Sequence, residues 1–227
     1  MGDLLSFVIE HGPLGEPQSR IWCRQLALAV QYLHESGVAH RDVKCENILL
    51  SANFNVKLAD FGFARYVTQK NRQVQMSTTF CGSFDYSAPE LLKGKPYNPK
   101  ASDIWALGVV LYMMLNKSIP FKGKTRQVYE QQMMRAWKFR SQPFKSSPIP
   151  QSSSRFVLLD GLFNLQPETK CSLIGYDRIR SLSSATRQAL RTPVVRRTDI
   201  ALPRVAFTVA SLVQKVKGLI RELNATE

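Results

Sequence analysis

Residues 38–50 read VAHRDVKCENILL, and this stretch decides how the rest of the sequence is interpreted. Three polar side chains, Asp42, Lys44 and Asn47, stand within six positions between apolar flanks, and Asp60 follows in a DFG tripeptide. Carboxylate and amide oxygens suit a magnesium-bound polyphosphate, because Mg2+ prefers oxygen and takes few ligands from protein. A lysine beside them would neutralise charge on a transferring group. The alternative is a turn in which the Asp and Asn side chains cap backbone amides.

The composition is that of a globular protein, with 44% hydrophobic and 21% charged residues among 227. A chain of this length can bury one good-sized core, or form one domain with an appendage. No apolar run approaches the roughly 20 residues of a membrane-spanning helix. The N-terminus also lacks a basic segment followed by an apolar one. The sequence therefore predicts no membrane span and no signal peptide.

Positive charge is concentrated in the second half of the chain. Residues 1–100 carry 11 Lys and Arg against 9 Asp and Glu, whereas residues 101–227 carry 20 against 8. Such a basic half could meet nucleic acid, a membrane surface or acidic proteins. It contains no Lys/Arg run of the nucleic-acid-binding type, so we predict a solvated basic surface and no nucleic-acid partner.

The four cysteines, Cys23, Cys45, Cys81 and Cys171, include no C-x-x-C pair. An even count alone does not indicate a disulfide framework in a chain of this size. We therefore expect reduced thiols and a cytoplasmic or nuclear location.

Periodicity predicts two helices near the N-terminus and a small hairpin after them. Apolar spacing fits a short amphipathic helix over residues 1–10 and a longer helix over residues 19–36, which Gly37 closes. The apolar runs NILL and VKLAD around the polar SANFN predict a β-hairpin. Residues 63–87 show no periodicity and are predicted to form one long loop, a feature that is usually functional.

The second half contains one segment that is apolar nearly all round. Residues 101–121, ASDIWALGVVLYMMLNKSIPF, have a single acid, Asp103, and a helix of this kind is buried. Residues 141–154 are rich in Ser and Pro and predict a linker or extended loop, and residues 155–166 predict an amphipathic helix.

The motifs HRDVKCEN, DFG, SAPE and DIWALG occur in that order, and with them the sequence resembles the eukaryotic protein kinases. The resemblance extends over residues 2–165 and includes the 18-residue step from Asp42 to Asp60. HRDVKCEN, DFGFAR and TFCGS are most similar to the testis-specific serine/threonine kinases of the calmodulin-dependent-kinase group.

This resemblance implies a mainly α (α+β) fold: a helical C-terminal kinase lobe with a small β-hairpin beside the catalytic loop. Residues 1–173 would form this part of the kinase domain, and residues 174–227 would form a basic tail that the family pattern does not reach. The tail ends in a predicted amphipathic helix over residues 205–223, which either docks a partner or packs on its own domain.

By position, the resemblance implies that Asp42 accepts the proton of the substrate hydroxyl or orients that hydroxyl. Lys44 would contact the γ-phosphate, and Asn47 and Asp60 would hold the metal ions. The implied cofactors are ATP and Mg2+. The implied reaction is transfer of the ATP γ-phosphoryl group to Ser or Thr of a protein substrate.

Other residues are implied at the nucleotide pocket and beneath it. Leu49 would floor the adenine pocket, and Asp3 is implied as a nucleotide-site residue. His40 and Phe61 would stack under the site, and Asp103 would bind the backbone of the catalytic loop. The alternative for Asp103 is an acid near a helix N-terminus, which the helix dipole favours.

The resemblance also implies a regulatory site. Thr79 stands just before FCGS, where the family carries its activating phosphate, and Thr78 is the alternative. A phosphate there could pair with Arg41 through charge-assisted hydrogen bonds. Ser83 would bind the catalytic aspartate and lysine from the loop that faces the substrate.

Asp3 and Glu46 match positions that meet arginines of the substrate in basophilic kinases. We therefore predict protein substrates with basic residues before the target Ser or Thr; the alternative is two solvated acids. An upstream kinase or a chaperone is a further expected partner. In the family, an arginine closes the lobe on the glutamate that matches Glu90. Lys170 stands there in this sequence, and an ammonium group cannot form the same two-pronged pair.

The family's nucleotide site also uses a glycine-rich flap, a strand lysine and a helix glutamate. The sequence contains no G-x-G and no V-A-x-K segment, so we expect the N-terminal β-lobe to be absent. Two functions stay open. One is a serine/threonine kinase, in which Met1 need not be the true start. The other is a truncated, catalytically impaired lobe that binds substrates or partners.

Overall fold

The structure, a computed structural model, describes residues 2–67, 69–70, 73–138 and Phe163. All of them belong to the first of two compact units, Met1–Arg180, and the second unit is Ser181–Glu227. Several predictions fall outside the described residues: the linker over 141–154, the helix over 155–166 apart from Phe163, Lys170, and the tail over 174–227 with its helix. The domain boundary at residue 173 therefore stays a prediction.

Five α-helices occur among the described residues: α1 Leu4–His11, α2 Glu16–Glu35, α3 Pro89–Leu92, α4 Pro99–Asn116 and α5 Thr125–Met133. Local sequence explains where several of them begin. Asp3 caps α1 by accepting a hydrogen bond from the backbone N–H of Ser6 at 2.8 Å, and Asn98 caps α4 in the same manner. Proline stands in the first turn of α2, α3 and α4, where its missing N–H is not needed. The two predicted N-terminal helices are confirmed.

The described strands form three separate antiparallel pairs. β1 (Val38–Ala39) pairs with β4 (Arg65–Tyr66), β2 (Ile48–Leu50) with β3 (Val56–Leu58), and β5 (Gln69–Lys70) with β6 (Gln73–Val74). The β2–β3 pair is the predicted hairpin. The prediction of one long loop over residues 63–87 is wrong in part, because the stretch contains β4, β5, β6 and a 3-10 turn at Phe84–Tyr86. Strands of two residues are too short to produce a periodic pattern.

The core is built around α4, the helix predicted to be buried. Every residue of α4 except Met113 is buried. It packs against α2, which presents the apolar stripe Trp22, Leu26, Val30 and Leu33 to the core. Each such side chain contributes about 1.5–3 kcal/mol when it is fully buried. The two helices together form the base against which β1, β3 and the 3-10 turn at Phe84–Tyr86 pack.

An aromatic cluster joins α4 to later parts of the chain. The ring of Phe163 lies 5.0 Å from Trp105, 5.6 Å from Phe121 and 6.0 Å from Trp137, centroid to centroid. The angles between these ring planes are 54–65°, the tilted and edge-to-face geometry that aromatic pairs prefer. Phe163 is itself buried, so the region after residue 138 contributes at least this side chain to the core.

Two further findings bear on the class of protein. None of the helices described here combines the length and the apolar character that crossing a bilayer requires. Cys23, Cys45 and Cys81 are free thiols, and burial raises the pKa of Cys23 and Cys45 to about 12. Both buried thiols are therefore unreactive at neutral pH. The expected cytoplasmic or nuclear location stays a prediction.

Candidate active site

The carboxylate of Asp42 is the centre of the candidate site and is almost completely buried. Its Oδ1 accepts hydrogen bonds from the backbone N–H of Ser83 at 3.0 Å and from the Ser83 hydroxyl at 3.1 Å. Its Oδ2 accepts from Asn47 Nδ2 at 3.0 Å and lies 2.8 Å from Lys44 Nζ. Lys44 also donates to Ser83 Oγ at 2.9 Å. These contacts bring four residues predicted from the sequence into one cluster.

Both charged members of this cluster are held in their ionised form. Burial is the largest single influence on Asp42 and raises its pKa, but hydrogen bonds from Lys44, Ser83 and Asn47 outweigh burial and lower that pKa overall. The hydrogen bond to Asp42 is the main cause that raises the pKa of Lys44. An ionised carboxylate beside an ammonium group can accept a hydrogen bond from a hydroxyl while the cation faces a second anion.

The β2–β3 hairpin brings Asn47 and Asp60 together. Its register pairs Ile48 with Leu58, so Asn47 precedes one strand at the point where Asp60 follows the other. The backbone N–H of Ala59 donates to the carbonyl of Asn47 at 2.8 Å, which keeps the two chains adjacent as they leave the hairpin. Asn47 and Asp60 are separated in sequence but therefore lie close together in the fold.

Asn47 and Asp60 leave oxygen atoms for a cation. Asn47 Nδ2 donates to both the carbonyl and the carboxylate of Asp42, so the amide oxygen is the group that can bind a cation. Asp60 is exposed, and its Oδ1 accepts from Gly62 N–H at 3.1 Å. The described residues contain no cluster of three or more His, Cys, Asp and Glu suited to a metal ion. A carboxylate with an amide is the smaller set that Mg2+ accepts when phosphate and water complete its coordination.

His40 lies beneath the site in a defined tautomer. Its Nε2 donates to the carbonyl of Ala59 at 3.1 Å, and its Nδ1 accepts from the backbone N–H of Asp42 at 3.3 Å. The imidazole is completely buried, and burial is the main reason that its pKa is lowered. Its ring meets that of Phe61 edge to face, with 4.9 Å between the centroids. The neutral imidazole thus connects the backbone of Asp42 to the backbone of Ala59, which precedes the DFG motif.

Asp103 supports the loop from below. Its Oδ2 accepts from the backbone N–H of His40 at 2.8 Å and its Oδ1 from that of Arg41 at 2.7 Å. Arg41 has a φ of 66°, a left-handed conformation that costs a residue other than glycine about 1–3 kcal/mol. The two hydrogen bonds hold this strained backbone, so the carboxylate is more than an acid near a helix N-terminus.

The segment after the DFG motif approaches the loop through Arg41. Arg41 Nε donates to the carbonyl of Phe63 at 2.7 Å, and its Nη1 lies 3.5 Å from Ser77 Oγ. The backbone N–H of Thr79 donates to the same Oγ at 3.3 Å, and the Tyr97 hydroxyl donates to the Thr79 carbonyl at 3.0 Å. Thr78 and Thr79 are both exposed. Arg41 and Thr79 therefore share a contact residue, Ser77.

The predicted substrate-facing and nucleotide-facing residues occupy the rim of the site. Leu49 is 44% exposed and forms a β-bridge with Asp3. The Asp3 carboxylate is occupied in capping α1, and the backbone hydrogen bond from Ser6 is the main cause that lowers its pKa. Glu46 is exposed and accepts from the Tyr86 hydroxyl at 3.2 Å. Glu90 lies in α3, and the lysine predicted to meet it is outside the described residues.

Sequence reasoning missed three contributors to the site. His34 contacts Asp103 Oδ2 through Nε2 at 2.8 Å, and Lys100 Nζ donates to the His34 carbonyl at 2.7 Å. Gly82 has a φ of 94°, and a Cβ added there would come within 2.6 Å of the Arg41 carbonyl oxygen. A glycine before the predicted Ser83 was a possible signal for such a close approach. The partner of His34 is 69 positions away, so local periodicity could not reveal it.

A family model for the protein kinase domain matches residues 1–186. This is most of the chain, and the chain therefore belongs to the protein kinase family.

Curated relatives give a narrower similarity. The chain is 51% identical over 121 residues to testis-specific serine/threonine-protein kinase 2 of Mus musculus, and 50% identical over 120 residues to testis-specific serine/threonine-protein kinase 3 of Homo sapiens. Each alignment covers 53% of this chain, and 34% and 44% of the two relatives, respectively. The matched part is therefore less than half the length of either relative. The predicted resemblance to the testis-specific kinases is confirmed.

Proposed function

We propose that this chain is a serine/threonine protein kinase that transfers the γ-phosphoryl group of ATP to Ser or Thr of protein substrates. The observation that supports it best is the buried Asp42 carboxylate bound by Lys44, Asn47 and Ser83. The two neighbouring groups would have different roles. The carboxylate would bind the attacking hydroxyl, and the ammonium group would bind the transferred phosphate. We assign the described residues to the helical C-terminal lobe of the kinase domain.

The proposed cofactors are ATP and Mg2+. Asn47 and Asp60 would hold Mg2+, since the amide oxygen and the carboxylate are the hard donors that this ion prefers. A bound Mg2+ neutralises phosphate charge and orients the nucleotide. Leu49 lies on the hairpin between Asn47 and Asp60, and its apolar, exposed side chain would contact the adenine ring. His40, Phe61 and Asp103 would support the loop, and Glu90 would anchor the segment that follows it.

The four contacts to the Asp42 carboxylate determine which hydrogen-bond donor a substrate hydroxyl must displace. A carboxylate has about four lone-pair sites, and Ser83, Asn47 and Lys44 occupy both oxygens of Asp42. An entering hydroxyl must therefore replace one donor. Lys44 is the donor that a γ-phosphate attracts, and its departure frees Oδ2 for the hydroxyl. Asp42 would then orient the hydroxyl or accept its proton, while a P–O bond forms to the hydroxyl oxygen, the P–O bond to the β-phosphate breaks and ADP leaves.

Two acids on the rim support a preference for basic residues before the target. Asp3 forms a β-bridge with Leu49, and Glu46 stands three positions before Leu49 in the chain, so both acids lie near the start of the β2–β3 hairpin. We expect a peptide library to show selection for Arg or Lys upstream of the acceptor, and we expect Glu46→Gln to weaken that selection. A library profile indifferent to upstream charge would leave Asp3 and Glu46 as solvated acids.

A second candidate function is binding without transfer. No G-x-G segment occurs in the 227 residues, and the rim residues could bind a basic peptide without a nucleotide. In that case the chain would act as a substrate- or partner-binding module of the kinase family.

A transfer assay separates the two functions. The 227-residue chain is incubated with Mg2+, γ-labelled ATP and a serine peptide carrying upstream arginines. Asp42→Asn should lower transfer by roughly 10²-fold or more, whereas Asp85→Asn, an exposed acid of the 3-10 turn, should leave it unchanged. Absence of transfer by the wild-type chain, together with peptide binding that Glu46→Gln weakens, would support the binding module instead.

A further inference from the structure

A buried polar cluster lies under the loop that carries Asp42. His34 near the end of α2 and Asp103 in α4 are 7% and 1% exposed, respectively. The His34 Nε2 and the backbone N–H groups of His40 and Arg41 all contact the Asp103 carboxylate, at 2.7–2.8 Å. Three contacts from two different segments therefore meet on one buried anion.

The division of contacts between the two carboxylate oxygens is informative. Asp103 Oδ1 accepts from Arg41 N–H, whereas Oδ2 is shared between His40 N–H and His34 Nε2. Asp103 belongs to the buried helix α4, so its main chain is fixed by the core, but its carboxylate could still turn about the side-chain bonds. The contact from α2 fixes Oδ2 against a separate helix, so the orientation of the carboxylate is set by the core.

His34 is itself fixed at its main chain. Lys100, in the first turn of α4, donates from Nζ to the His34 carbonyl at 2.7 Å and is buried. Asp103 lies three residues further along α4 and meets the His34 side chain. The start of α4 thus holds His34 at both its carbonyl and its imidazole, a favourable place for a cation because carbonyls at a helix C-terminus carry negative partial charge.

We propose that His34 is a positioning residue for phosphoryl transfer. By donating to Asp103 it fixes the carboxylate that holds the backbone of His40 and Arg41, and thereby the direction in which Asp42 meets the substrate. This role rests on the proposed function, because the direction of Asp42 matters only if a hydroxyl reacts there. His34 touches none of the reacting groups, and its effect passes through Asp103 and the loop backbone.

The first test measures amide hydrogen exchange in the 227-residue chain. His34→Leu removes the donor, His34→Gln keeps a side-chain N–H, and His11→Leu is a control at an exposed histidine. We expect His34→Leu to raise exchange at the His40 and Arg41 amides about 10-fold, with core amides of α4 unchanged. His34→Gln should restore most of the protection, and His11→Leu should have no effect.

The second test measures steady-state transfer by the same variants. His34→Leu should lower kcat by roughly 10- to 100-fold with little change in the KM for peptide, because a misdirected catalytic group affects the transition state more than substrate binding. His34→Gln should recover most of kcat. A residue with a merely structural role would lower the melting temperature without this selective and recoverable loss.

Several outcomes would overturn the role. Wild-type His40 and Arg41 amides that exchange as fast as exposed loop amides exclude it, as does His34→Leu with unchanged protection and kcat. If His34→Leu does not fold, His34→Gln decides: retained protection supports the role, and lost protection in a folded protein overturns it. If the wild-type chain transfers no phosphate, the proposed function fails, whereas the exchange measurement still shows whether His34 holds the loop.

Discussion

Single residues in strained conformations flank the candidate site. Arg41 and Asp60 have φ values of 66° and 57°, where residues other than glycine are uncommon. Each is held by a hydrogen bond: Asp103 accepts from the N–H of Arg41, and the Asp60 side chain accepts from Gly62. Strain of this kind persists where surrounding contacts maintain it, and it is concentrated at functional sites. The conformations thus support a preorganised site around Asp42 and Asn47.

Replacement of Gly82 by alanine tests the contact between the loop and the segment that carries Ser83. A Cβ at Gly82 would lie 2.6 Å from the Arg41 carbonyl oxygen, and φ is 94°. The segment must move, which separates Ser83 from Asp42. We expect Gly82→Ala to destabilise the protein by about 1–3 kcal/mol in urea unfolding and to abolish transfer.

Gly94→Ala is the matched control, because Gly94 has a φ of 64° but no atom within 4 Å of an added Cβ. It should show the backbone penalty without the clash and should keep transfer activity. Equal effects of the two substitutions on transfer would mean that the approach of Gly82 to Arg41 is unimportant.

His40 gives a pH dependence with a defined sign. Its pKa is lowered in the folded protein, so the unfolded chain takes up a proton near the ordinary value of 6.5 before the folded chain does. The stability that neutral His40 provides is therefore complete above pH 6.5 and declines as the pH falls toward the lowered pKa. The slope for one proton is at most about 1.4 kcal/mol per pH unit.

Urea unfolding at pH 7.5, 6.5 and 5.5 measures this slope. His40→Phe keeps a ring beside Phe61 without a titrating nitrogen, so it should flatten the decline, while His11→Asn should keep the wild-type slope. A wild-type stability that is constant from pH 6.5 to 5.5 would contradict the assignment of a neutral, buried His40.

The sequence predicted the chemistry-bearing side chains, and the family resemblance also implied Ser83 and Asp103 as groups that orient them, but two further contributors were missed. Asp42, Lys44 and Asn47 are close in sequence, and the hairpin that brings Asp60 to them has a clear apolar pattern. His34 and Lys100 gave no such signal. Lysine is usually exposed, and the burial of Lys100 follows from the packing of α2 on α4. The positive φ of Arg41 is likewise supported by a long-range contact, the hydrogen bond from its N–H to Asp103.

At the scale of elements, long periodic segments were predictable and short ones were not. α2 has many residues that fit one helical periodicity, and α4 is apolar nearly all round. The existence and the burial of both helices could therefore be predicted from the sequence. β1 and β4 have two residues each and pair across residues 38–66, so neither has a local signature. Their pairing nevertheless sets where the segment after the DFG motif leaves the loop.

That segment gives a prediction about activation. Thr79 and Arg41 both contact Ser77 Oγ, so a phosphate on Thr79 could reach the guanidinium and form charge-assisted hydrogen bonds. We expect Thr79→Ala to lower transfer by at least about 10-fold relative to phosphorylated wild type. Thr78→Ala is the matched control and should retain activity.

Phosphopeptide mapping of active protein provides the independent measurement. Phosphate on Thr79 is the expected result, and Arg41→Lys should reduce its effect because an ammonium group lacks the bidentate geometry of a guanidinium. Active protein with both threonines unmodified would reject Thr79 as the switch.

At the scale of the whole molecule, the site is assembled from separate stretches on one helical base. The stretches that meet there are the loop over 40–47, the DFG motif over 60–62 and the segment over 79–83. Helix α4 supports them, because its Asp103 carboxylate accepts hydrogen bonds from the backbone of the loop. The resemblance to the protein kinases implied this arrangement, because it assigned a role to residues in each of these stretches. The family model ends at residue 186, and the role of the residues after it was not predictable from the family.

Magnesium-dependent ATP binding tests most directly the central claim that Asn47 and Asp60 hold a metal-bound nucleotide beside Asp42. The measurement is the melting temperature of the 227-residue chain with ATP and Mg2+, compared with ATP and EDTA. A ligand at 100 times its Kd adds about 2.7 kcal/mol of stability, so Mg-ATP should raise the melting temperature and ATP with EDTA should raise it much less. Asp60→Asn preserves the acceptor for Gly62 but removes the charge, and it should abolish the magnesium-dependent part. A wild-type chain whose melting temperature is unchanged by Mg-ATP, or raised equally with EDTA, would contradict the claim.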